Sequence, residues 1–156
     1  YVSEVTASVK KVPPDEAGIK ILTPRRWEEK KGYYQERLEI LLKESIDTTQ
    51  YEIIIDASKV LEEDDALLPA MYTTTLSAIE QKPLRQDIAI ASSCDTKGHL
   101  LPVSKVNKRM YTAPENVKKV IVSTYDYEER LTSSLPIGPL TVQAEDVKKM
   151  YEVLTR

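Results

Sequence analysis

Hydrophobic positions occur in short blocks whose spacing changes along the chain. Val2, Val5 and Val9 mix with Thr6 and Ser8, which predicts a strand over 2–9. VPPDEAG, residues 12–18, reads as a loop between two strands, because Pro13 and Pro14 cannot donate to a ladder and Gly18 permits a turn. A second strand is predicted over 19–22. Pro24 suits a helix start, and Trp27, Tyr34, Leu38, Leu41 and Leu42 then recur on one helical face. The β-branched run YEIIIDA, 51–57, reads as a buried strand. An acidic loop follows at Glu62, Glu63, Asp64 and Asp65. Residues 66–81 read as a helix with Leu67, Leu68, Met71, Thr75 and Ala78 at helical spacing.

Further along, DIAIAS (87–92) and VKKVIVS (117–123) read as strands. Gly98 turns the chain into the apolar segment 100–103, and 106–111 reads as a short helix. Residues 140–143 suit a last strand and 144–154 a last helix. Strands and helices interleave, so the expected class is α+β with two layers.

Composition narrows the function classes. A length of 156 residues suits one domain. The net charge of -3 gives no bulk electrostatic case for nucleic acid. One Cys and one His cannot build a disulfide framework or an ordinary zinc site, which fits a reducing, cytoplasmic setting. No apolar run has the ~20 residues a membrane span needs. Gly18, Gly32, Gly98 and Gly138 are scattered, so no phosphate-cradling loop exists and no cofactor is expected in this chain. The chain starts at Tyr1 with its first Met at Met71, and reads as a fragment or processed product.

The words LSAIEQKPLRQDIAIA, 76–91, and KGHLLPV, 97–103, carry a resemblance. With their order and spacing, the segment 51–123 resembles the proteolytic domain of Lon-type ATP-dependent proteases. The resemblance implies the ribosomal-protein-S5-like fold (S5 domain 2-like) over a single domain, 1–156, of a larger AAA+ type protein. It implies a ring, hexameric in the intact protein, with any ATP bound by an ATPase domain outside this chain.

That family works through a Ser–Lys dyad, in which a buried lysine takes the proton of a serine hydroxyl. Carried over, the serine falls on Ala66 and the lysine on Arg109, with Lys108 beside it. Asp64 and Asp65 stand where the family has Gly-Pro, and Leu67 and Leu68 replace Ala-Gly. Ser104 and Lys105 replace a Gly-Gly pair, and Ala91, Ser92 and Ser93 replace Thr-Gly-Glu. Ala66 has no oxygen with which to attack. An arginine keeps its proton and cannot act as a base. A Ser-to-Ala change engineered to trap an inactive form would account for Ala66 alone, and not for Asp64, Asp65, Leu67 and Arg109 together.

The expectation is therefore a pseudoprotease domain that serves assembly and partner binding. Two alternatives remain. One is a rearranged Ser/Lys-type peptidase using Lys108 with Ser92, Ser93 or Thr73. The other is a nucleic-acid module using a basic patch of Lys105, Lys108 and Arg109, followed by Lys118 and Lys119. The plainer readings are a solvated Lys108, turn hydrogen bonds for Ser92 and Ser93, and helix capping for the acidic run. His99 lacks an acid partner in its motif and reads as a surface or packing residue. Nothing adjacent in sequence lowers the pKa of Cys94, so it reads as an ordinary thiol.

Overall fold

The computed structural model describes residues 4–103, 106, 109, 113–131 and 139–156. It is a mixed α/β structure with several sheets, consistent with the α+β class. The first sheet has the order β1 (Thr6–Lys11), β3 (Tyr51–Asp56), β2 (Gly18–Leu22). β1 runs antiparallel to β3, and β2 parallel to it. Alternation sets the faces. Ala7, Val9, Ile19, Ile21, Ile53 and Ile55 pair in register on the inner face, while Ser8, Lys10, Lys20 and Glu52 fall on the other. The parallel β2–β3 pair needs a crossover, and α1 (Lys31–Lys43) supplies it. Its buried Tyr34, Leu38, Leu41 and Leu42 join the same core. Each such fully buried aliphatic contributes about 1.5–3 kcal/mol.

α2 (Leu67–Glu80) runs through the centre of that core. Every residue from Leu67 to Leu76 is buried, so the helix is enclosed on all sides through this stretch and presents no single apolar stripe there. It packs against β1, β3 and α1. Gln81 ends it in the left-handed conformation (φ 56°), and Pro83 follows.

The second sheet is all parallel, in the order β4 (Ile88–Ile90), β7 (Lys119–Val122), β8 (Leu140–Gln143). Between its first two strands lies the hairpin β5 (Ser93–Cys94) and β6 (Leu100–Leu101). α3 (Thr124–Leu131) packs on β8, and α4 (Val147–Leu154) packs on α2.

Several expectations need correction. The first strand starts at Thr6 and extends to Lys11, because β3 offers partners that far. After Pro24 the chain makes 3-10 turns over Arg25–Lys30, with Trp27 out of helical geometry, and α1 starts only at Lys31. The segment 87–92 keeps strand form only at Ile88–Ile90, where β7 pairs with it. The last helix begins at Val147, because Asp146 caps it. α3 was not expected. Its signal is Ser123, whose Oγ accepts the Asp126 N–H at 3.2 Å, as an N-cap serine does. The helix expected over 106–111 lies largely outside the described residues.

Candidate functional site

The start of α2 is the centre of the site. Ala66 is its N-cap residue, fully buried, and has no side-chain oxygen to accept a helix N–H. Asp64 supplies one from two residues upstream: its Oδ1 accepts the Ala66 N–H at 2.8 Å. Arg109 then meets the same carboxylate. Its Nη1 donates to Asp64 Oδ1 at 3.0 Å and Oδ2 at 2.9 Å, across 45 residues of sequence. The two side chains are only 13% (Asp64) and 22% (Arg109) exposed, so this is a largely dehydrated pair. The carboxylate thus stands between the two positions singled out by the resemblance.

Of the other hydroxyls on or near this helix, Thr74 Oγ1 is buried without a partner among the described residues, while Thr73 and Ser92 are engaged. Thr73 is fully buried, and its Oγ1 donates back to the carbonyls of Pro69 (3.0 Å) and Ala70 (3.2 Å) within α2. Ser92, also buried, has its Oγ 2.8 Å from the Ser93 carbonyl and 3.1 Å from that of Leu101. Ser92 therefore makes the turn contacts expected of it.

No protein-family model matches the chain. Among curated proteins, the archaeal Lon protease of Pyrococcus abyssi is 34% identical over 111 residues, which is 69% of this chain and 11% of that protein. The archaeal Lon protease of Thermococcus kodakarensis is 32% identical over 79 residues, 49% of this chain and 12% of that protein. That of Methanocaldococcus jannaschii is 28% identical over 120 residues, 74% of this chain and 18% of that protein. The chain carries a Lon-related domain. It spans only 11–18% of the length of these relatives.

In this Lon-related domain the hairpin turn after β5 holds the remaining candidates. Asp95 accepts the N–H of Lys97 and of His99, both at 2.9 Å, and its Oδ2 lies 3.3 Å from His99 Nδ1. His99 therefore does have an acid partner, contrary to the reading of its motif, but the pair is exposed, and among the described residues no Ser, Thr or Cys side chain is hydrogen-bonded to it. Burial would raise the Asp95 pKa, but the backbone N–H groups of His99 and Lys97 together with the His99 ring outweigh it and hold the carboxyl below its ordinary value. Cys94 is buried, and burial pushes its thiol up to about 12. Such a thiol is protonated at neutral pH, which makes it a poor nucleophile. Gly98 has φ +92°, and a Cβ there would come within 3.1 Å of Val147 Cγ2. Only glycine suits that turn.

Lys105 and Lys108, the other basic candidates, lie outside the described residues. Of the acidic run, Glu62 forms an exposed pair with Arg26 at 2.9 Å, and Asp64 performs the capping expected of the run. Sequence reasoning missed the Asp64–Arg109 contact itself. Both residues were visible as departures from the family text, but nothing in their spacing showed that they are partners. It also missed Asp126, a buried carboxylate that accepts the Val103 N–H at 3.1 Å and ties the exit of β6 to α3. Among the described residues no group of three or more His, Cys, Asp or Glu could hold a metal ion. Nor is any helix there long and apolar enough to cross a membrane.

Proposed function

We propose that this chain is a non-catalytic Lon-like domain, S5 domain 2-like in fold, that serves assembly and partner contact within a longer ATPase. The observation that carries the reading is the Asp64–Arg109 bridge. On the resemblance, Ala66 and Arg109 occupy the places of serine nucleophile and lysine base. One lacks an oxygen, and the other is a permanent cation bound to a carboxylate. The two replacements support one structure: the arginine neutralises the aspartate that caps the alanine-led helix. A site built to take a proton has the opposite requirement, an uncharged base free to reach a hydroxyl.

The geometry favours neither Thr73 nor Ser92 as a substitute nucleophile, since both are buried and face carbonyls. The test is peptide and casein cleavage by the chain and by Ala66→Ser, at high protein concentration. Neither should exceed the protein-free rate, because a restored serine still lacks a base. Cleavage by the unaltered chain that vanishes on replacing Lys108 or Ser93 would establish the rearranged-peptidase reading instead. For assembly, the longer parent protein should size as a ring, and a monomer would remove that part of the proposal.

A further inference from the structure

A cleft of about 220 Å³ lies between α1 and the turn that precedes α2. The cations Lys30 and Arg37 line it from the α1 side. The carboxylates Glu63, which also accepts the Tyr34 hydroxyl, and Asp65 line it from the turn. Among the described residues none of these four makes an ion pair with another side chain. Arg37 is held with its guanidinium 3.6 Å from the Tyr33 ring centroid. Stacking uses the guanidinium face and leaves its edge N–H donors for a planar acceptor. A third carboxylate on the cleft, Asp95, is already committed to the N–H groups of its own turn. Cys94 adds a buried thiol to the lining, 6% exposed and without a polar partner among the described residues.

Charges of both signs thus share one concavity without meeting. A ligand that carries both an ammonium and a carboxylate would bridge them. Its ammonium would donate to Glu63 and Asp65, and its carboxylate would accept from Arg37 and Lys30 in charge-assisted hydrogen bonds. The cleft is smaller than the ~300 Å³ at which pockets for drug-sized ligands begin, so the ligand must be smaller still. Leu68 and Cys94 give it an apolar contact. We infer that this cleft binds a free α-amino acid as its zwitterion. The inference does not rest on the function proposed above, since no residue of the Asp64–Arg109 bridge lines the cleft.

The test is an amide-resolved NMR titration of the chain with L-leucine, N-acetyl-L-leucine and L-leucine methyl ester. Leucine should give saturable shifts at Tyr33, Asp65 and Cys94. Each blocked analogue should bind about tenfold more weakly or worse, because it forfeits one set of charge-assisted bonds. Arg37→Gln should weaken leucine and leave the methyl ester unchanged, while Asp65→Asn should weaken leucine and leave the N-acetyl compound unchanged. That split separates ligand recognition from misfolding, which would affect all three compounds. The inference is overturned if leucine gives no saturable shifts up to its solubility limit. It is equally overturned if the methyl ester binds as well as leucine, which would make the cleft a site for cations alone.

Discussion

The start of α4 and the start of α2 meet the same requirement by different routes. A helix leaves its first N–H groups without partners in the helix, and burial makes them costly to leave so. At α4 the side-chain cap is local, and one backbone partner comes from the distant β5–β6 turn. Asp146 has extended geometry (φ −147°, ψ 171°) and accepts the Lys149 N–H at 2.8 Å, and the Gly98 carbonyl takes the Val147 N–H at 2.8 Å. At α2 the N-cap is Ala66, which can do none of this. Asp64 reaches forward for one N–H, and its charge is then balanced by Arg109 from 45 residues away. A cap made by a neighbour can be lost alone. A cap made by a largely buried ion pair couples a helix start to a distant segment.

Removing the long-range cap should have the largest effect. Asp64→Ala leaves Arg109 largely buried without its partner and should cost about 2–3 kcal/mol, scaled down from a fully buried pair because both side chains keep some exposure. Urea unfolding reads it directly, and a loss under ~0.5 kcal/mol would show the bridge to be incidental. Next, a double-mutant cycle of Asp64→Ala with Arg109→Met should show a coupling of about 1–2 kcal/mol. Additive single effects would mean that the two residues act independently, and the comparison between the two helices would fail. Asp146→Ala should cost about 1 kcal/mol, a typical N-cap value, with no coupling to Arg109.

The smallest effect expected is in the pH dependence. Asp95 is held below its ordinary value by the N–H groups of its turn and the His99 ring, against the effect of burial. A carboxyl depressed in the folded state contributes stability above its unfolded pKa, about 4, and loses it as the pH falls through the folded value. Asp95→Asn should therefore make acid unfolding shallower below pH ~4 by less than one proton, measured as the slope of stability against pH. An unchanged slope would show that this turn carries none of the acid sensitivity.

Much of the fold was legible because it depends on short-range pattern. YEIIIDA became β3, the segment 66–81 became α2 with a cap residue at each end, and Leu140–Gln143 became β8. α3 was overlooked although its Ser123 and Asp126 lie three residues apart. Its apolar content is low and Glu128, Glu129 and Arg130 fill most of its second half, so no hydrophobic period drew attention to it. Of the candidate site, Ala66 and Arg109 were both named from the sequence, as a missing oxygen and a fixed cation. The cleft beside α1 was not, because its residues come from three separate segments.

The sequence by itself determined what each side chain can do. Alanine has no nucleophilic oxygen, arginine cannot surrender its proton, and a period of two or 3.6 selects strand or helix. Those properties are local and survive any fold. Only the tertiary structure decided that Asp64, read as one more acid in an acidic loop, is the carboxylate joining Ala66 to Arg109. Pairing across 45 residues depends on where folding brings two chain segments, and on the loss of water that gives one ion pair weight while others stay solvated.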